Sequence, residues 1–210
     1  MAPSRKSPPA PVRARRHQVV RGAEQITLLA SPVRQDLVDT LEALGGEADV
    51  AAVATQLGRP ADGLYYHFDL LAKAGLLQRV DTDGARRYRI GQGRGAPLKL
   101  DYGSDAESRE AVGRVVDKLL QAARRDFHAA LDEPGTVKEG PERELWAGRN
   151  KGWVHARDLA EANRLLTRLQ QLLQGPRRVG RDRLVSLSFV LAPLPAAAGR
   201  RTSRAKERAR

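Results

Sequence analysis

Four backbone stops cut residues 31–90 into pieces so short that few architectures accommodate them: Gly45-Gly46, Gly58 with Pro60, Gly75 and Asp83-Gly84. Glycine ends helices because it takes the left-handed conformation without a Cβ clash, and proline cannot continue one. The first piece, "SPVRQDLVDTLEALGG", predicts a helix with Ser31 as N-cap and Pro32 at its first position. Val33, Leu37, Val38, Leu41 and Leu44 share one face of it. "DVAAVATQLG" repeats the device: Asp49 caps, Val50, Val53, Ala54 and Leu57 form an apolar stripe, and Gly58 stops the helix. A third helix is predicted over 60–74, started by Pro60, with Leu64, Phe68 and Leu71 inward at i, i+4 and i+7.

Two short helices joined by a tight glycine-containing turn form a helix-turn-helix pattern. The next run, "LLQRVDTDGARRYRI", alternates in polarity on both sides of Asp83-Gly84 and predicts a β-hairpin over 76–90 with a basic return strand. Helix, turn, helix and then a basic hairpin is the order of a winged helix. "GQGRGAP" at 91–97 reads as an exit linker, since it lacks the lysine and the strand-to-helix setting of a phosphate loop.

A long helix is predicted from Ser104 to about Leu131, striped by Val112, Val115, Val116, Leu119, Leu120, Ala123, Phe127 and Leu131. Residues 132–150 read as a charged loop and "GWVHA" at 152–156 as a short strand. Arg157 to Gln174 predicts another amphipathic helix, with Leu159, Ala162, Leu165, Leu166, Leu169, Leu172 and Leu173 inward. "RLVSLSFVLAPLP" alternates as a strand until the prolines stop it. The expected fold class is mainly α with a small β-hairpin wing (α+β). A winged helix-turn-helix domain at 22–95 would precede a helical C-terminal half at 104–192, carrying a short two-stranded element and serving dimerisation or an effector.

Eleven of the twelve net positive charges fall in residues 1–21 and 200–210, so the body between is nearly neutral. The segments 1–21 and 193–210 are expected to be disordered basic tails. Such tails aid solubility, and they also favour polyanions through counterion release. With no cysteine among 210 residues, disulfides, thiolate metal sites and thiol catalysis are excluded. Neither a signal-peptide core nor an 18-residue apolar run occurs, so a cytoplasmic protein without membrane contact is expected. No HExxH, no P-loop and no Ser/His/Asp set in a recognisable setting is present, which argues against an enzyme.

Residues 23–90 resemble the winged-helix domain of ArsR-type bacterial transcriptional regulators, through "SPVRQDLVDTLE", "VAAVATQLG", "YYHFDLLAKAGLL" and "DGARRYRI". His67, Phe68, Leu71, Ala74, Gly75 and Leu76 match the family's recognition helix in register, with Phe68 in place of the usual leucine. The C-terminal "GWVHARDLAEANRLLTRLQQLL" and "SLSFVLAPLP" look like the same half of a subgroup of these regulators. The resemblance implies a dimeric DNA-binding regulator, usually a repressor, nucleoid-associated through its operator. Many members sense metal. Here Asp126 and His128 resemble only a half-site, with no second histidine following, so neither metal nor cofactor is expected.

On a helical wheel, Asp62, Tyr65, Tyr66, Asp69 and Lys73 lie off the Leu64–Phe68–Leu71 stripe, on the face a recognition helix turns to the major groove, and Ala61 at the helix start is a further candidate for DNA contact. A tyrosine there packs on a thymine methyl or bonds a phosphate, and Tyr65 is the favoured one. Alternatively, one tyrosine closes the core edge with its hydroxyl in water. Asp62 and Asp69 accept from cytosine or reject wrong sites. Arg59 at the turn and Arg86 and Arg87 in the hairpin are candidates for phosphate or minor-groove contact, or else solvated surface arginines. His67 is expected to tie this helix to its neighbour by a hydrogen bond, with base reading as the alternative. The wide stripe of the long helix predicts packing on helix 157–174 and on a second subunit, the alternative being packing within the C-terminal half of one chain. An unknown small-molecule effector would lie near Trp146 and Trp153, two residues that core packing explains equally well. The alternative function is a winged-helix module for protein or RNA contacts, with tails giving nonspecific nucleic-acid affinity.

Overall fold

The computed structural model describes residues 18–82, 84–91, 98–102, 105–174 and 177–194. In chain order the elements are β1 (Gln18–Val20), α1 (Ala23–Leu29), α2 (Pro32–Ala43), β2 (Glu47–Asp49), α3 (Val50–Leu57), α4 (Asp62–Lys73), β3 (Leu77–Thr82), β4 (Ala85–Ile90), β5 (Leu98–Leu100), α5 (Ala106–Asp132) and α6 (Ala156–Leu173). It is an α+β winged helix-turn-helix domain followed by a helical C-terminal part. The tails at 1–17 and 195–210, the linker at 92–97 and Asp83 lie outside the described residues.

The stops act as expected. Asp49 accepts the Ala52 N–H at 2.7 Å, and Gly58 ends α3 in the left-handed region at φ 62°. Gly84 turns the hairpin at φ 76°, a value that strains any residue with a Cβ. Ser31 occupies the N-cap of α2, yet its side chain makes no capping bond. The recognition helix is shorter than 60–74: it starts at Asp62. Ala61 already has helical dihedrals, so helical geometry reaches back to it, while Pro60 completes the turn.

Two pairings were not anticipated. β2 joins β4 antiparallel, making a three-stranded sheet in the order β2-β4-β3. β1 and β5 pair in parallel, Gln18 opposite Leu98, and clasp the two ends of the domain beyond the expected limits at 22 and 95. Gln18 and Gln25 reinforce the clasp by donating to the carbonyls of Gly75 and Ala74, each at 2.7 Å, at the end of α4.

One apolar core holds the domain. Ile26, Leu37, Leu41, Val53, Phe68, Leu71, Leu76, Tyr88 and Ile90 are fully buried, each contributing on the order of 1.5–3 kcal/mol. Phe68 stacks on Tyr88 with centroids 4.5 Å apart, so the recognition helix and the hairpin share a centre. Ala111 and Val115 bring the first half of α5 into the same core against α1, and Arg114 donates to Thr27 at 3.1 Å.

The C-terminal part departs from expectation. Residues 152–156 and 184–192 form no strand, because neither meets a partner strand among the described residues. The expected two-stranded element is therefore not formed among the described residues; only a single bridge joins Arg178 and Arg181. Helix α6 forms almost where predicted but buries none of its residues, and it does not pack extensively on α5. Leu159, Leu165, Leu169, Leu172 and Leu173, expected inward, are exposed, because the described residues do not cover this face of the helix. Among the described residues no helix is long and apolar enough to cross a membrane.

Candidate nucleic-acid interface

Helix α4 is amphipathic, and its packing decides which side chains reach outward. Leu64, Phe68 and Leu71 point into the core, which leaves Asp62, Tyr66 and Lys73 on the open surface. Tyr66 is 66% exposed, a large aromatic ring presented to solvent. Tyr65 is half-buried against the core edge, with the Arg86 guanidinium 5.2 Å from its ring centroid. It closes the core while its neighbour faces solvent. Ala61 packs beside it at the start of the helix.

Asp69 faces the hairpin rather than open solvent. It accepts from the Tyr88 hydroxyl at 2.5 Å and lies 3.7 Å from the Arg86 guanidinium. Burial, and then the Asp69 carboxylate beside it, push the Tyr88 hydroxyl up to about 12. Tyr65, Asp69, Arg86 and Tyr88 thus form one cluster that fixes the hairpin against α4.

The basic hairpin is laced to acids. Arg89 donates to Glu47 at 2.6 Å, while Arg87 lies 3.4 Å from Glu47 and 4.0 Å from Asp49. The register explains it: Glu47 stands opposite Arg89 and Asp49 opposite Arg87 across the β2–β4 ladder. The Arg89 hydrogen bond, with Arg87 adding to it, holds the Glu47 carboxyl below its usual range against the opposing effect of burial. Arg59 stands apart from this cluster. Its guanidinium lies 3.6 Å from Asp36 of α2, and Arg125 of α5 approaches the same carboxylate at 3.6 Å. Nearby, burial and then the Asp36 and Asp126 charges push the Asp39 carboxyl up to about 6, although the residue keeps an exposed surface.

His67 does not make the expected tie through Nδ1, which is buried and has no hydrogen-bond partner. The Tyr66 ring stands edge-on to it at 5.4 Å. Burial, and then the charges of Arg34 and Arg59, lower its pKa from the ordinary imidazole value.

Sequence reasoning overlooked the acids that position the arginines: Asp36, Glu47 and Asp49. The signal for the last two was present, since acids at 47 and 49 match arginines at 87 and 89 with the two-residue period of paired strands. Trp146 and Trp153 are 72% and 98% exposed, and Arg143 stacks on Trp146 at 3.5 Å. Among the described residues no cluster of His, Asp and Glu could hold a metal ion.

Residues 29–80 match the helix-turn-helix domain family, spanning α2, α3, α4 and the first strand of the hairpin. No curated protein matches the chain. Among solved structures, the YusO protein from Bacillus subtilis is similar at 10% identity and a TM-score of 0.29, covering 71% of this chain and 84% of that one. A protein from Pseudomonas aeruginosa PA01 described as a transcriptional regulator is similar at 20% identity and a TM-score of 0.27, covering 70% of this chain and 84% of that one. Human N-acetylserotonin methyltransferase, solved with SAM, gives 21% identity and a TM-score of 0.32; the likeness covers 56% of this chain and 35% of the enzyme. At these TM-scores none of the three bears on what this chain does.

Proposed function

We propose that the chain is a dimeric DNA-binding transcriptional regulator of the ArsR type, acting as a repressor at the nucleoid. In this reading α4 enters the major groove with Asp62, Tyr66 and Lys73 toward base edges, and the hairpin lays Arg86 and Arg87 on the backbone or in the minor groove. Arg59 contacts a phosphate beside the turn. Tyr65 and Asp69 support the reading indirectly by fixing the angle between helix and hairpin.

The observation that carries this reading is the outward face of α4 within a domain that matches the helix-turn-helix family. A tyrosine two-thirds exposed, flanked by an acid and a lysine, sits on the helix that this motif presents to DNA. Dimerisation accords with the uncovered apolar surface of the C-terminal part.

One observation favours a second reading. Each hairpin arginine named above has an acid partner, so the wing is electrostatically milder than its composition suggests. A surface of that kind also suits a protein or RNA partner. Binding of the chain trimmed to residues 18–194 to promoter DNA and to scrambled DNA, at two salt concentrations, separates the readings. Preference that survives trimming supports operator recognition. Binding that leaves with the tails and ignores sequence supports the module.

A further inference from the structure

Residues 183–194 run along the surface with neither helix, turn nor bend, and no backbone hydrogen bond joins them to another described segment. The segment is nevertheless built like a strand. Val185, Leu187 and Phe189 point one way by parity, and Leu184, Ser186, Ser188 and Val190 the other. An unpaired apolar strand is a template for another chain, because it presents a row of N–H and C=O groups along which a second strand can pair.

The sequence specifies which chain. "LVSLSFV" (184–190) is palindromic in character about Leu187: Val185 mirrors Phe189, Ser186 mirrors Ser188, and Leu184 mirrors Val190. We infer that this segment pairs antiparallel with the same segment of a second copy, across a two-fold axis at Leu187. Leucine then faces leucine, valine faces phenylalanine, and serine faces serine within hydrogen-bonding reach. An unrelated partner strand would not require this symmetry.

The surroundings fit the same occupant. Thirteen large apolar side chains between Leu159 and Leu194 are exposed, on α6, on the segment and on the connection between them. At roughly half exposure each they present on the order of 1,000 Å², above the ~800 Å² per partner of a stable interface. Monomers rarely leave so much apolar surface in water. Phe189, Val190 and Leu191 border a shallow apolar hollow with Ala162, Leu165 and Leu166 of α6, so the paired strands would seat against that helix.

This inference rests on the dimer reading above and names its contact. The absence of cysteine from the chain makes the test direct. Leu187→Cys, Leu184→Cys and the double variant L184C/V190C would be oxidised as full-length protein without DNA, beside sedimentation of the unaltered protein. Directly opposed residues lie within disulfide reach, whereas two copies of residue 184 would be about 20 Å apart along the ladder. Leu187→Cys and the double variant should therefore give at least about tenfold more covalent dimer than Leu184→Cys. An unaltered protein that is monomeric overturns both the dimer and the pairing. A dimer in which Leu187→Cys does not cross-link, or cross-links no better than Leu184→Cys, overturns the pairing alone. Neither result depends on whether the protein binds DNA.

Discussion

The Tyr88 hydroxyl donates to the Asp69 carboxylate across 2.5 Å, joining the return strand of the hairpin to the outer flank of the recognition helix. Tyr88 is fully buried, so the bond is made at the edge of the core and holds the wing at one angle to α4. Tyr88→Phe should cost on the order of 1–2 kcal/mol, because it leaves a half-buried carboxylate short of a donor. The pH dependence has a definite sign. The folded hydroxyl titrates at about 12, above the ordinary value of 10.0, so its stabilisation is complete below that ordinary value and fades as pH rises through 12. Urea unfolding across that alkaline window should show a decline in the unaltered protein that Tyr88→Phe lacks.

Asp39 has the opposite consequence at neutral pH. Its folded carboxyl is raised from 3.8 to about 6, so the fold favours the protonated form, and that relative stability is lost as pH rises through 6. Asp39→Asn should therefore stabilise the neutral protein. The exposed surface of the residue screens the effect to about 0.5 kcal/mol. Thermal melts at neutral pH should show the gain, and melts below the ordinary carboxyl range should not.

The two adjacent tyrosines should separate cleanly. Tyr66 is open to solvent, so Tyr66→Ala should change stability by less than about 0.5 kcal/mol. If it meets a base or phosphate, DNA affinity should fall about tenfold, the lower end of one good contact. Tyr65→Ala removes packing and the Arg86 contact, so it should lose about 1–2 kcal/mol of stability. Fluorescence anisotropy on a DNA duplex and urea unfolding, run on both variants, resolve the two effects.

Glu47 holds Arg87 and Arg89 on the hairpin. Glu47→Gln should cost about 1 kcal/mol of stability and release at least one guanidinium toward phosphate. Nonspecific DNA binding should strengthen at low salt, with its dependence on log salt steepened by about one unit. Titrations over a salt series measure that slope.

Where a structural signal was local, the sequence carried it. Asp49 as a cap, Gly58 as a stop and Gly84 in the hairpin turn each act through neighbours a few residues away. Phe68 was legible as core because the i, i+4, i+7 spacing states which face it shares. The pairing of β2 with β4 and of β1 with β5 was not, since three-residue strands have too little periodicity to show and their partners lie some 40 to 80 residues away. For the same reason Asp69 read as a base contact, when its partner Tyr88 arrives from another element. The C-terminal apolar pattern was legible as a helix over α6, although the strand expected over 184–192 did not form. Its destination was not legible, because the described residues do not cover those side chains.

The most direct test of the central claim is selection of double-stranded DNA from a random-sequence library by the full-length protein, at moderate salt. The account predicts an enriched inverted repeat whose half-sites are centred about 10–10.5 base pairs apart or a multiple of that, as two recognition helices related by a two-fold axis require. Tyr66→Ala should weaken binding to the selected site far more than to scrambled DNA. Recovery of no sequence, with binding that tracks salt alone, would contradict operator recognition by α4.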